Sequence, residues 1–365
     1  MKKITILTGG LDGGGAEKIC VLLCNELCSR GYRIDLWSLH DSKKNILLNS
    51  QINKTILNKK YSRSSLFKLF SMIKSNNPKL IIAFSPQLAV LLLFIRLLRR
   101  NKFVVIGRAI NTLSHEYIYK KSIWTKYVVN NLIKYFFQSS DAIIAQCDGM
   151  RNDLIDNYSI SSKKIVRIYN PAILNQISTK PYVKYSKRHE IIFVGRFESQ
   201  KGLEYLFNAF SLSVNKDSSL ILRMIGEGSI KKDLIILAKK LNINKNLIFE
   251  GNKQNLYEYY CKAKATVLTS IYEGMPNVLL ESLRAGTPII SFDSPHGPRE
   301  IVIDGINGYL VPYLNIKIFS EKILEATGSN NFSSKKIIDS SKKFSVNNIV
   351  DQYEELINNQ FHLIN

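Results

Sequence analysis

The stretch "YEGMPNVLLESLRAGTPII", Tyr272–Ile290, places a Gly-Met-Pro turn between two glutamates, then an apolar helix former, a glycine and a short apolar run. Proline is tolerated in the first turn of a helix, where its missing N–H would have had no partner. The pattern therefore predicts a loop over Gly274–Met275–Pro276 and a helix entered at about Pro276. Gly286 stands where a C-terminal cap belongs, and "TPIISF" reads as a buried strand. Glu273 falls in the loop and Glu281 in the second helical turn. The unpaired N–H groups and dipole of such a helix start suit a phosphate, and carboxylates accept hydrogen bonds from paired hydroxyls. A ligand carrying both groups would fit. A solvated Glu281 and a dipole-favoured Glu273 fit the local pattern equally well, so the choice rests on the rest of the chain.

Working outward, strand–helix alternation recurs from end to end. "KITILT", a helix from about Gly15 to Arg30, "RIDLWSL", "LIIAFS", "KFVVIGR", "DAIIAQ" and "KIVRIYN" precede a polar, proline-containing stretch from Pro171 to about His189. The alternation restarts with "EIIFVGR", "LILRMIG", "LIFEG", "ATVLTS", "PIISF" and "GYLVP". Two such runs predict an α/β protein with two parallel, doubly wound sheets, over residues 1–180 and 186–345. Residues 346–365 read as a terminal helix whose packing partner the sequence does not identify. Ligands bind such sheets at the carboxyl ends of the strands.

A chain of 365 residues has room for two cores, and 45% apolar with 22% charged residues is a globular composition. The basic, briefly apolar start does not read as a signal peptide, and the run from Leu88 is too short to span a bilayer and is broken by Arg96. Cys20, Cys24 and Cys28 share one helix face with Leu and Val, so buried reduced thiols and a cytoplasmic setting are expected. The net charge of +22 divides into +18 on residues 1–180 and +4 on residues 181–365. That asymmetry favours anionic partners: an acidic membrane surface, a phosphorylated substrate or nucleic acid. Within the basic half, "YIYKKSIWTKYVVNNLIKYFFQS" from Tyr117 interleaves lysines with aromatic residues, as an interfacial helix does. A core helix with a solvated basic face is the alternative.

Four strand ends carry candidate ligand-binding residues. "TGGLDGGGAEK", Thr8–Lys18, allows close backbone approach and a helix start near Gly14 and Gly15, without the spacing of the dinucleotide fingerprint. "FVGRFESQKG" sets Arg196 and Lys201 where two cations can clamp a diphosphate. "MIGEGSIKKDL" adds a glycine turn at Gly226, and Gly251-Asn252-Lys253 follows another strand.

Taken together, "VGRFESQKG", "IGEGS", "EGMPNVLLESLRAGTPII" and "GPREIVIDGINGYLV" resemble the retaining glycosyltransferases of the GT-B fold, two facing Rossmann-like domains, in the large class called family four. "GGGAEK" resembles the opening loop of that family. The resemblance is weakest between about residues 40 and 140. It implies that Arg196 and Lys201 hold the donor diphosphate, that Glu281 binds ribose hydroxyls, and that Glu273 holds hydroxyls of the transferred sugar. It further implies that backbone N–H groups of the stretch Met275, Pro276, Asn277, Val278 and Leu279 touch the phosphates, that Gly226 and Lys253 line the donor site, and that Gly14 and Gly15 approach from the other domain. His296 and Arg299 would stand nearby.

The same resemblance points to enzymes of bacterial surface polysaccharide and lipid-linked oligosaccharide assembly. These would move a hexose or N-acetylhexosamine from a UDP-sugar to a polyprenyl-diphosphate-linked acceptor at the inner membrane surface. Arg108 and His115 are the acceptor-side candidates. No protein nucleophile is required in such retaining enzymes, and no cofactor is expected. No two aspartates are spaced by two, so a metal-independent donor site is expected. A UDP-sugar epimerase of the same architecture would need acid–base groups beyond these glutamates. A nucleic-acid-binding role would rest on the charge alone, which is dispersed and accompanied by no recognised motif.

Overall fold

The computed structural model describes residues 2–11, 14–41, 47–99, 103–119, 122–173, 190–328 and 331–363. They form two compact units, one of residues 1–170 with 347–365 and one of residues 171–346. The connecting stretch read from the sequence as a linker falls largely on residues 174–189, outside the described residues.

In the first unit, β1 (Lys3–Thr8), β2 (Arg33–Ser38), β3 (Asn53–Ile56), β4 (Leu80–Ala83), β5 (Val104–Arg108), β6 (Ala142–Ala145) and β7 (Ile165–Arg167) form one sheet in the order β3-β2-β1-β4-β5-β6-β7. Every pairing is parallel. Strands covered on both faces become continuous apolar runs, and β4 (LIIA) and β6 (AIIA) are buried throughout. β3, with the sequence NKTI, is a half-exposed edge strand that the apolar-run reading passes over.

The helices of this unit are α1 (Gly15–Ser29), α2 (Leu66–Asn76), α3 (Pro86–Arg99), α4 (Leu113–Ile118), α5 (Asn130–Phe136) and α6 (Asp148–Asp156). A π-helical turn, Trp124–Val129, leads directly into α5. Cys20, Cys24 and Cys28 lie buried along α1 as free thiols, and burial pushes the Cys24 thiol well up from its ordinary pKa.

The second unit repeats the plan. β8 (Glu190–Val194), β9 (Leu222–Ile225), β10 (Leu247–Gly251), β11 (Ala263–Leu268), β12 (Ile289–Phe292) and β13 (Gly308–Val311) are parallel in the order β10-β9-β8-β11-β12-β13. Among them run α7 (Leu203–Val214), α8 (Lys231–Lys240), α9 (Tyr257–Lys262), α10 (Asn277–Arg284), α11 (Pro298–Ile301), α12 (Ile316–Gly328) and α13 (Ser334–Ser340). In each sheet the order reverses beside the first strand, between β1 and β4 and between β8 and β11. Such a reversal opens a crevice at the strand ends, where ligands of doubly wound sheets bind.

The last helix, α14 (Val346–His362), belongs to the first unit. Its Asp351 and Glu354 take the Arg30 guanidinium, Tyr32 donates to Glu354 at 3.0 Å, and Tyr353 is buried. The structure thus supplies the packing partner that the sequence does not.

Candidate active site

In the second unit the site is built where β8 and β11 part. α10 begins at Asn277 with Pro276 as its N-cap, one residue later than the sequence reading, and a proline there leaves no N–H to point at a ligand. Leu279 donates its N–H to the Pro276 carbonyl at 3.1 Å and is fully buried. Neither Pro276 nor Leu279 can therefore supply the backbone donor expected of it. As the second residue of the helix, Val278 has no intrahelical acceptor for its N–H. Gly286, with φ of 67°, closes the helix through its N–H to Leu283.

The two glutamates are buried, at 7% and 8% exposure, far below what solvated surface residues would show. Glu273 Oε1 receives the Lys201 ammonium at 2.5 Å and the Ser270 hydroxyl at 2.6 Å. Lys201 reaches it from the single turn Ser199–Lys201 after β8, so the ion pair bridges the ends of the two strands that flank the reversal. Glu281 Oε2 receives the Tyr260 hydroxyl at 2.9 Å. Tyr260 is fully buried on α9, and burial first, then the Glu281 charge, hold its pKa well above the ordinary phenol value. Both favour the protonated hydroxyl that donates to Glu281. Sequence reasoning missed both Ser270 and Tyr260. The signal for Tyr260 was the apolar side of "LYEYYCKA", which puts it beside Cys261 in the core.

Arg196, just past β8, is exposed; its carbonyl accepts the Glu198 N–H at 3.0 Å, and its guanidinium makes no hydrogen bond or ion pair among the described residues. Beside it the ends of three strands converge: Gly195 donates to Ile225 at 3.0 Å and Gly226 to Gly251 at 2.9 Å. A Cβ at Gly226, whose φ is 141°, would lie 1.9 Å from the Gly195 carbonyl oxygen, so only glycine lets these loops meet. Similarly, a Cβ at Gly297 would stand 2.3 Å from the Gly274 carbonyl oxygen, which locks the loop before α11 onto the loop before α10. His296, next to it, holds a left-handed backbone at φ of 65°, uncommon for a non-glycine residue.

Two expected donor contacts are otherwise engaged. Arg299 forks onto Asp293. Lys253 pairs with Glu250 at 2.9 Å, which raises the lysine pKa and lowers that of the glutamate, and Glu250 also takes Arg223.

In the first unit, Gly14 caps α1 and its N–H donates to the Glu17 carboxylate at 2.5 Å, with Gly15 as the first helical residue. His115 sits half-buried on the short α4. Arg108, the other acceptor-side candidate, lies inside the first unit. At the end of β5 it is 1% exposed, with Nε on the Tyr353 hydroxyl at 3.1 Å, Nη2 on Asn170 Oδ1 at 2.6 Å and the guanidinium over the Phe84 ring. Asn170 continues to Gln146 at 2.9 Å, and Gln146 to the Ala109 carbonyl at 2.6 Å. Helix α14 supplies the tyrosine that Arg108 Nε meets, a partner the strand-end rule does not reveal, while Nη1 is buried without a hydrogen bond among the described residues.

The model for glycosyl transferases group 1 matches residues 175–344, and that for glycosyltransferase family 4 matches residues 13–176. The chain belongs to this family of glycosyltransferases. The enzyme is 27% identical over 324 residues to the N-acetylgalactosamine-N,N'-diacetylbacillosaminyl-diphospho-undecaprenol 4-alpha-N-acetylgalactosaminyltransferase of Campylobacter jejuni, covering 85% of this chain and 86% of that one. It is 26% identical to the amylovoran biosynthesis glycosyltransferase AmsD of Erwinia amylovora over 335 residues, 90% and 91% of the two chains. The structure of HepE from Anabaena in complex with UDP superposes with a TM-score of 0.76 at 17% identity, over 98% of this chain and 100% of that one. The glycosyltransferase thus has the GT-B fold of two parallel-sheet α/β domains.

Proposed function

We propose that this glycosyltransferase moves a hexose or N-acetylhexosamine, with retained configuration, from a UDP-sugar to a lipid-linked saccharide in surface polysaccharide assembly. The observation that carries the donor side is the pair of buried glutamates on one loop and helix, each held by a named donor, beside an open Arg196. Glu281, fixed by Tyr260, presents a carboxylate suited to ribose hydroxyls. Glu273, charge-balanced by Lys201, is suited to the hydroxyls of the transferred sugar. Arg196 and Lys201 supply positive charge where the departing diphosphate gains negative charge, the electrostatic contribution that usually dominates such catalysis. The acceptor oxygen bonds to the anomeric carbon as the bond from that carbon to the diphosphate oxygen breaks. The leaving phosphate takes the acceptor's proton.

The Campylobacter jejuni relative is named for a diphospho-undecaprenol-linked acceptor and AmsD for amylovoran biosynthesis, and the HepE structure holds UDP. These support, in turn, the lipid-linked acceptor, the polysaccharide setting and the UDP-linked donor. No metal or other cofactor is invoked, in keeping with a sequence that has no Asp-x-Asp. An enzyme acting on a lipid-linked acceptor works at a membrane surface.

Thermal unfolding with UDP, GDP, ADP and NAD, each with and without EDTA, tests the donor reading. UDP at one hundred times its Kd should stabilise the protein by about 2.7 kcal/mol, unaffected by EDTA and abolished by Glu281→Ala. A shift with NAD alone, or with none of the four, would remove the support for a UDP-sugar.

A further inference from the structure

The exposed side chains of the first unit are unusual in kind. Along the π-helical turn and α5, Trp124 (55%), Tyr127 (58%), Val128 (36%), Leu132 (43%) and Tyr135 (68%) are exposed, while Ile133 and Phe137 are buried. Val128, Leu132 and Tyr135, at i, i+4 and i+7, share one side, opposite the buried Ile133 and Phe137, and the π-helical turn before them exposes Trp124 and Tyr127. α3 packs against α5 and repeats the pattern: Phe94, Leu97 and Leu98 are exposed at i, i+3 and i+4, while Leu92, Leu93 and Ile95 are buried. Single exposed apolar residues are ordinary, but two adjoining helices that both turn an apolar stripe outward call for a partner.

The charge around these stripes names the partner. Over residues 59–140 there are fifteen lysines and arginines and one acidic residue, Glu116. Arg108 is buried and Arg96 is paired with Asp141, yet most of the rest remain to set a strongly positive field. Lys126, with its ammonium 5.8 Å from the centre of the Tyr127 ring, and the exposed Lys134 belong to the same segment and border the stripe. Apolar and aromatic groups flanked by lysines match the layering of a bilayer surface, in which rings enter the headgroup–acyl boundary and ammonium groups meet anionic headgroups. A second copy of this basic surface would meet its own charge. Nucleic acid would satisfy the lysines but leave the leucines and valine in water.

We propose that the face formed by α3, the π-helical turn and α5 docks on an anionic lipid bilayer. The inference deepens the proposed function by naming the surface at which the enzyme meets its lipid-linked substrate, and it rests on that reading for its purpose, not for its physical grounds. No helix among the described residues is long and apolar enough to cross a membrane, so this face would hold the enzyme by shallow insertion.

Of the two tryptophans, Trp37 is buried and Trp124 lies in the proposed face, so tryptophan fluorescence reports on it directly. Full-length protein is mixed with vesicles of phosphatidylcholine alone or with phosphatidylglycerol, carrying brominated acyl chains and no saccharide. Expected are flotation with the anionic vesicles, quenching of Trp124, and release at high salt. Lys126→Ser with Lys134→Ser should weaken partitioning by about 30-fold, since each near-surface lysine contributes a factor of about five. Trp124→Ser with Tyr127→Ser should weaken it further while leaving the thermal midpoint unchanged.

Absence of anionic-vesicle binding, or binding without Trp124 quenching, overturns the proposal. So does a dimer in sedimentation velocity that Trp124→Ser with Tyr127→Ser dissolves, or tighter binding to duplex DNA than to vesicles. Sugar transfer to a short-chain soluble acceptor is followed in parallel. A docking variant that keeps this activity separates failure of the membrane face from failure of the transferase reading.

Discussion

The hydroxyl of Tyr260 is the smallest feature with a functional consequence. It makes one buried hydrogen bond, to the carboxylate expected to hold the ribose. Tyr260→Phe removes that bond and keeps the ring, so the core around Cys261 and Ala263 stays filled. A hydrogen bond to a charged group is worth about 1.5 kcal/mol or more. The donor KM should therefore rise about tenfold or more with kcat little changed, and steady-state kinetics at varied donor concentration checks it. Equal loss in kcat would assign Tyr260 to the reacting centre instead. Glu273 and Glu281 were legible because loop, helix and both carboxylates fall within one continuous stretch, where local chemistry fixes their relation. Tyr260 was not, because it reaches Glu281 from a different helix, and a tyrosine in an apolar pattern looks the same whether or not its hydroxyl has work.

Among the elements, the strand–helix alternation was legible wherever a strand is covered on both faces, since burial makes it a continuous apolar run. β3 escaped because an edge strand of four residues carries little of that signal. α14 was visible as a helix, but its destination was not, because an amphipathic face does not say which core it covers. That gap also hid the partner that Tyr353 gives Arg108. Arg108→Leu should remove the buried donors that the Tyr353 hydroxyl and Asn170 Oδ1 accept, and cost about 3 kcal/mol of the stability of the first unit. The KM for acceptor should stay near that of the unaltered enzyme. Denaturant titration alongside transfer kinetics checks both, and a raised KM at unaltered stability would restore the acceptor-side role.

For the whole molecule, two units with separate cores predict two transitions in calorimetry. UDP should move the transition of residues 171–346, and Arg108→Leu should move the other. A single transition shifted by both would show that the units unfold as one. The same division has a consequence for synthesis. The chain leaves the first unit after Asn170 and returns only at Asn347, so the second unit is an insertion within the first. On the ribosome, all strands and helices of the inserted unit emerge before α14 does, and domains generally fold as they emerge. The half that carries the proposed donor site can therefore be complete while the first sheet still waits for Tyr353 to cover Arg108. The half with the aromatic, basic surface matures last, so on the proposed reading the newborn chain would be ready to hold its donor before it is a finished enzyme.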